Sequence, residues 1–158
     1  MKVKKIDEYN SKVILENTGH AQLPYIVVVI DEFASLMLTT SDSNNEEIIT
    51  RLVQEARAAG IHLILSTQRP VRTILPTTIK ANLTTRIAFA VNSSVESLVV
   101  LDENGAEDLL GRGDMLYKTN QGIKRLVSAY ISDAEINRVV AYILMKYGKN
   151  NFEDVELE

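Results

Sequence analysis

The most constraining feature of this sequence is an aliphatic run that ends in two adjacent carboxylates. After Pro24 the chain continues as Tyr25–Ile30 (YIVVVI), and Asp31 and Glu32 follow at once. A continuous β-branched run, rather than an alternating one, is typical of a strand buried on both faces of a parallel sheet. The run therefore predicts an α/β fold in which both acids lie at the carboxyl end of a buried strand.

The next elements along the chain repeat the α/β pattern. Ser43 and Glu46 have capping-box spacing, and apolar residues then recur at helical intervals until Gly60. A second strand is predicted over Ile61–Leu65 and a third over Arg86–Val91. A strand, helix, strand, connection, strand order implies right-handed crossovers and a mostly parallel sheet flanked by helices.

The last part of the chain departs from this pattern. Two apolar stretches, Met115–Tyr117 and Ile123–Ile131, flank a polar turn and predict a small β-hairpin. Ser93 with Glu96, and Ser132 with Glu135, again have capping-box spacing and predict two helices, the second ending at Gly148. The chain then divides into an irregular lead-in with room for one helical turn (1–22), an α/β domain (23–148) and an acidic tail (149–158).

Composition limits the classes of function. The 158 residues, 46% of them hydrophobic, suit one globular domain, and the net charge of −4 argues against a broad basic surface for nucleic acid. Any contact with DNA is expected to be local or shared among subunits. The chain has no Cys and two His, which excludes disulfides and argues against a zinc site. No apolar run approaches the roughly 20 residues of a membrane helix, so we expect a soluble, cytoplasmic chain.

The two acids indicate a Walker B element, which nucleotide hydrolases use to hold Mg²⁺ and to polarise the attacking water. Because parallel strands place their carboxyl ends at one edge, Thr67 and Gln68 after the second strand are expected beside Glu32. Two simpler interpretations stay open from the residues alone. An acid at a strand end can cap a helix, and Gln68 with Arg69 can begin a solvated loop.

Four segments of this chain resemble the FtsK/SpoIIIE family of DNA translocases. They are LPYIVVVIDEF (23–33), ARAAGIHLILSTQRP (56–70), IKANLTTRIAF (79–89) and the LLGRGDMLY string that ends at Tyr117. The similarity extends over nearly all of residues 6–147. It implies a RecA-like P-loop NTPase core in a homo-hexameric ring that hydrolyses ATP with Mg²⁺. Such a motor moves double-stranded DNA in chromosome segregation, during cell division or sporulation.

The resemblance also implies roles for residues of the nucleotide site. Asp31 matches the acid of the metal site and, with Thr67, lies on the nucleotide-binding side. Glu32 matches the catalytic acid, and Gln68 matches the polar sensor at the end of the next strand.

A further catalytic prediction concerns an arginine offered to the nucleotide of a neighbouring subunit. Arg86 is our candidate for this arginine finger, with Arg57 and Arg69 as rivals; the alternative is that Arg86 is a strand-edge arginine paired with a surface carboxylate. On the hairpin, which in this family faces the central pore, three basic residues are candidates for contact with DNA phosphates: Lys118, Lys124 and Arg125.

These 158 residues contain no Gly-rich segment ending in Lys and Ser or Thr, the Walker A loop that cradles phosphates. We therefore expect the chain alone to bind no cofactor and to hydrolyse ATP negligibly. A sheet without its phosphate-loop strand has an open edge, which predicts a dimer or other self-association. The family's amino-terminal membrane anchor is also outside the sequence. Two alternatives stay open: a ring ATPase of secretion or conjugation, and an inactive fragment that serves as an interaction module.

Overall fold

A computed structural model describes residues 3–16, 19–39 and 44–148. Within these ranges the helices are α1 (Ile6–Leu15), α2 (Phe33–Thr39), α3 (Asn44–Glu55), α4 (Thr77–Lys80), α5 (Ser94–Leu101) and α6 (Asp133–Tyr147). The strands are β1 (Ile26–Ile30), β2 (Ile61–Leu65), β3 (Arg86–Phe89), β4 (Asp114–Thr119) and β5 (Gly122–Val127), and a 3₁₀ turn spans Ala106–Asp108. None of the helices in these ranges is long and apolar enough to cross a membrane.

The parallel pairing of β1 and β2 confirms the predicted α/β fold. Ile26 lies opposite Ile61 and Ile30 opposite Leu65, so the two strands end side by side. The connection between them contains α2 and α3. One face of this sheet packs on a core whose buried residues are Phe33, Ala34, Ile49, Ile74 and Ile79. Since Ile30 and Leu65 pack against the same core, it fixes both strand ends next to the start of α2.

The opposite face of the parallel sheet is not covered by any of the described residues. Val27 and Val29 of β1 are 61% and 63% exposed, and Ile64 of β2 is 54% exposed. The prediction that β1 is buried on both faces is therefore wrong for this structure. The aliphatic run suits two-sided burial, but none of the described elements packs over this side.

The third strand joins a different sheet from the one predicted. Arg86–Phe89 is a strand, but it pairs antiparallel with β4, which in turn pairs antiparallel with β5. The predicted hairpin is confirmed, whereas the predicted parallel crossover to β3 is wrong for the described strands. A second core explains the pairing, because α5 and the 3₁₀ turn pack there against β3 and β4; its buried residues are Ala88, Leu101, Ala106 and Leu109.

Local signals at the helix starts are confirmed where the structure describes them. The Ser93 hydroxyl accepts a hydrogen bond from the Glu96 amide at 3.3 Å. Ser132 and Glu135 form a complete capping box, in which each side chain accepts from the backbone of the other. Ser43, the predicted cap of α3, lies outside the described residues, as does the acidic tail 149–158.

The lead-in contains a ten-residue helix, α1, where the sequence predicts an irregular segment. Only Ile6 and Val13 are buried on it, seven residues apart, so its apolar pattern is weak. Tertiary contacts hold the helix instead. The Ile6 amide donates to the Ala58 carbonyl at 2.9 Å, and the Asn10 side chain exchanges two hydrogen bonds with the backbone of Leu23.

Candidate functional site

The ends of β1 and β2 are joined by backbone hydrogen bonds that continue past the strands. The Ser66 amide donates to the Ile30 carbonyl at 2.9 Å, and the Phe33 amide donates to the Ser66 carbonyl at 2.8 Å. Asp31 and Glu32 are therefore held against the polar residues that follow β2. This is the arrangement predicted for two parallel strands that end at one edge.

Glu32 accepts three hydrogen bonds at this edge. Its Oε1 accepts from the Thr67 hydroxyl at 2.5 Å and from the Ala34 amide at 3.2 Å, and its Oε2 accepts from the Gln68 amide at 3.1 Å. The Thr67 hydrogen bond, followed by that of the Gln68 amide, holds the pKa of Glu32 below its usual 4.5. Because Ala34 lies in the first turn of α2, Glu32 also caps this helix.

Asp31 is exposed and is held mainly through its backbone. The Ser66 hydroxyl donates to the Asp31 carbonyl oxygen and lies 3.3 Å from its Oδ1. Mg²⁺ in nucleotide sites is commonly held by one or two carboxylates together with phosphate oxygens and water. The described part of the chain has no cluster of three His, Cys, Asp or Glu side chains that could hold a metal. The exposed carboxylate of Asp31 has the chemistry of such a Mg²⁺ ligand.

Gln68 contributes to the site through its backbone. Its amide holds Glu32, while its exposed side chain forms no hydrogen bond within the described residues. Arg69 is also exposed, and its positive charge contributes to the lowered pKa of Glu32. Sequence reasoning missed Ser66. The available signal was a second hydroxyl residue directly before Thr67 at the strand end.

Arg86 is held inside the structure by three contacts. Its Nε donates to the Leu83 carbonyl at 3.0 Å, and its Nη1 donates to the Val100 carbonyl at 3.0 Å and to Asp102 at 2.5 Å. Its side chain is 16% exposed. These contacts match the alternative interpretation, a strand-edge arginine paired with a surface carboxylate. Arg57 and Arg69, the rivals, are exposed, and their side chains form no hydrogen bond or ion pair within the described residues.

Asp102 connects α4, which packs on the core beside the parallel sheet, with β3 of the antiparallel sheet. It ends α5 in a left-handed conformation (φ 57°) and accepts from Lys80 of α4 at 2.6 Å as well as from Arg86 of β3. Partial burial works to raise the pKa of Asp102, but the hydrogen bonds and charges of Lys80 and Arg86 outweigh it and hold the pKa at about 2.

The basic residues of the hairpin differ in their availability. Arg125 forms two hydrogen bonds with Asp114, at 2.9 and 2.5 Å, and these hold the pKa of the buried Asp114 at about 2. Lys118 donates to Glu103 at 3.0 Å and to the Leu101 carbonyl. Lys124 is exposed and pairs with no described residue. Within the described residues, Lys124 is the only one of the three candidates for DNA contact whose side chain forms no hydrogen bond or ion pair.

Comparison with known proteins gives a consistent result. Residues 3–72 match the model of the FtsK/SpoIIIE family. The chain is 51% identical over 135 residues to DNA translocase FtsK 2 of Neisseria meningitidis, which covers 84% of this chain. It is 50% identical over 148 residues to DNA translocase FtsK of Streptococcus agalactiae, which covers 89% of this chain. The chain spans 13% and 18% of the lengths of these two relatives.

Two solved structures share the fold and part of the sequence. The pCW3 conjugation coupling protein TcpA, determined with ATPγS, has a TM-score of 0.71 and 30% identity over 88% of this chain and 41% of its own. The cytoplasmic domain of the type VII secretion ATPase EccC from Thermomonospora curvata has a TM-score of 0.72 and 26% identity over 83% of this chain and 15% of its own.

Proposed function

This chain belongs to the FtsK/SpoIIIE family, and we propose that it supplies the Walker B half of the nucleotide site in an ATP-driven double-stranded DNA translocase. The observation that carries the proposal is the joined edge of β1 and β2. There, two adjacent acids meet the hydroxyls of Ser66 and Thr67 and the amide of Gln68. The full motor would act in chromosome segregation, during cell division or sporulation.

Each residue of the edge has a proposed role. ATP with Mg²⁺, bound through a phosphate loop, would supply the phosphoryl group and neutralise its charge. Asp31 is the proposed metal ligand, since its carboxylate is exposed at the edge. Glu32 is the proposed general base, and the exposed side chain of Gln68 is the proposed sensor of the terminal phosphate. Any contact of Thr67 with the nucleotide has to coexist with its hydrogen bond to Glu32.

The proposed arginine finger needs a guanidinium that can reach a neighbouring subunit. If Arg86 had this role, it would first have to leave Asp102 and two backbone carbonyls. Arg57 and Arg69 have no such contacts to break within the described residues. The contacts thus favour one of these two as the finger and a structural role for Arg86.

The proposed partners are double-stranded DNA and copies of the same subunit in a hexameric ring. A net charge of −4 makes a shared, local DNA contact more suitable than a broad one. The exposed Lys124 supports such a contact at the hairpin. Arg125 and Lys118 would have to exchange their present carboxylate partners for phosphates. Full-length family members are expected at the membrane, with this part of the chain in the cytoplasm.

A second candidate function is that of a ring ATPase in conjugation or secretion. The fold similarity to TcpA and EccC supports it. The higher sequence identity, 50% and 51%, is with DNA translocases, which favours the first proposal. An inactive interaction module is the third possibility, because these 158 residues contain no phosphate loop.

The test uses a chimera. The matching segment of the Streptococcus agalactiae translocase is replaced by residues 3–148, and ATP hydrolysis is measured with and without double-stranded DNA. We expect DNA-stimulated hydrolysis in the chimera, loss of it in Asp31→Asn and Glu32→Gln, and retention in the control Asp133→Asn. If a folded, hexameric chimera kept full activity after Glu32→Gln, the assigned chemistry would be wrong.

The chain alone provides a second check. Because it has no phosphate loop, we expect negligible hydrolysis when it is mixed with ATP and Mg²⁺. Robust turnover by the purified chain would contradict the proposal that it supplies only half of the site.

A further inference from the structure

The hydroxyl of Thr67 has a defined direction. A threonine hydroxyl offers one donor and two acceptor positions. The Arg69 amide donates to Thr67 Oγ1 at 3.1 Å and occupies one of its acceptor positions. The same oxygen lies 2.5 Å from Glu32 Oε1, which as part of an ionised carboxylate can only accept. The proton of Thr67 is therefore directed at Glu32.

The two oxygens of Glu32 are not equivalent. Oε1 accepts from both Thr67 and Ala34, whereas among the described residues Oε2 accepts only from the Gln68 amide. A carboxylate oxygen has about two lone-pair positions. Those of Oε1 are thus filled, and one position on Oε2 has no donor among the residues that the structure describes.

We propose that Thr67 is a positioning residue for Glu32, because the hydrogen-bond chain from the Arg69 amide through the Thr67 hydroxyl leaves Oε2 as the oxygen that accepts a proton. This inference rests on the proposed function. In hydrolysis of a nucleoside triphosphate, one proton of the attacking water passes to Oε2 while the water oxygen bonds to the terminal phosphorus. The bridging P–O bond breaks, and its electron pair stays on the diphosphate. Without the Thr67 hydroxyl, Glu32 would still be a carboxylate that can accept a proton, but its orientation would no longer be fixed.

The first test needs no hydrolysis and uses the whole chain. Amide hydrogen exchange is measured by NMR for Ala34, Gln68 and Arg69 in the wild type, Thr67→Val, Thr67→Ser and the control Thr73→Val. Thr73 is exposed and forms no hydrogen bond within the described residues. In Thr67→Val we expect all three amides to exchange faster, by roughly fivefold or more. We expect wild-type rates in Thr67→Ser and Thr73→Val.

The decisive comparison is between the Arg69 amide and the two amides bound to Glu32. Arg69 loses its acceptor in Thr67→Val whatever Glu32 does. If Ala34 and Gln68 kept their wild-type exchange rates, Thr67 would not position Glu32 and the inference would be overturned. Should Thr67→Val fail to fold, Thr67→Ala, which adds no atoms, is measured against the same criterion.

The second test measures kcat and KM in the chimera. Thr67→Val should lower kcat by roughly tenfold or more with KM little changed, since it disturbs a base that acts in the transition state. Thr67→Ser should restore kcat. A rise in KM alone would instead give Thr67 a nucleotide-binding role. If the chimera hydrolyses no ATP at all, the proposed function fails, but the exchange result still decides whether Thr67 positions Glu32.

Discussion

Gly113 is the residue at which a single methyl group should most disturb the hairpin. It precedes β4 with a φ of +94°, and a Cβ there would lie 2.7 Å from the carbonyl oxygen of Ser128 and 2.8 Å from its Oγ. The Ser128 amide donates to the Gly113 carbonyl at 2.7 Å, so the backbone after β5 is held against this position. Gly113→Ala therefore combines an unfavourable φ with a close contact to backbone.

The loss of stability expected in Gly113→Ala can be separated into two terms with a matched control variant. A left-handed conformation costs an L-residue about 1–2 kcal/mol, and forcing atoms into an occupied space costs about 1–3 kcal/mol. Gly111 has a φ of +75°, but no atom lies within 4 Å of its Cβ position. Gly111→Ala thus carries only the first term. The entropy that alanine removes from the unfolded chain is the same in both variants and cancels in their difference.

Urea unfolding followed by circular dichroism measures this difference. We expect Gly113→Ala to have a free energy of unfolding about 1–3 kcal/mol below that of Gly111→Ala, with the midpoint lowered and the slope unchanged. Equal midpoints for the two variants would refute the reasoning, since the contact with Ser128 would then contribute nothing.

Three further predictions concern charge and association. The pKa of Asp102, held at about 2, is below its usual 3.8, so the carboxylate stabilises the fold above about pH 4 and this contribution is lost as the pH falls towards 2. Because the side chain is 46% exposed, Asp102→Asn should lower the free energy of unfolding at pH 7 by only about 1 kcal/mol and weaken its pH dependence. Urea unfolding at pH 7 and pH 3 measures both effects. An unchanged pH dependence would contradict the stabilising role of the Asp102 carboxylate. In the chimera, Lys124→Ala should weaken DNA binding and reduce, by about 1, the slope of the logarithm of the binding constant against the logarithm of salt concentration. Arg125→Ala should mainly destabilise the hairpin. Equal slopes for Lys124→Ala and the wild type would exclude Lys124 from the DNA interface. The open edge and uncovered face of the parallel sheet predict a dimer in light scattering. Val29→Lys on that face should weaken the dimer, whereas Val95→Lys on α5, where Val95 is equally exposed, should leave it intact. A monomeric mass for the wild type at high concentration would refute this prediction.

Much of the local structure could be predicted because its signals lie close together in the chain. The aliphatic run before Asp31 predicts β1, and the polar turn after Thr119 predicts the hairpin. Ser132 and Glu135 are three residues apart, so their capping box depends only on the backbone between them. In the candidate site, the adjacency of Glu32 to Asp31 was likewise readable from sequence.

The contacts that could not be predicted join residues far apart in sequence. Thr67 was expected beside Glu32, 35 positions earlier in the chain, but which oxygen of Glu32 accepts from its hydroxyl depends on the parallel register of β1 and β2. Arg86 meets Asp102 because α5 ends beside β3, and no pattern near Arg86 indicates that partner. The helix α1 was missed for the same reason, since docking rather than an apolar stripe stabilises it.

Sequence alone thus determined that the aliphatic run forms a strand and that two acids lie at its carboxyl end, because both features depend on neighbouring residues. Tertiary structure alone decided which face of β1 is covered, which sheet β3 joins and which oxygen of Glu32 is left open. Each of these depends on which distant segment arrives next to a given edge or side chain. A residue pattern specifies that a surface needs a partner, but the partner's identity is decided only when the chain folds.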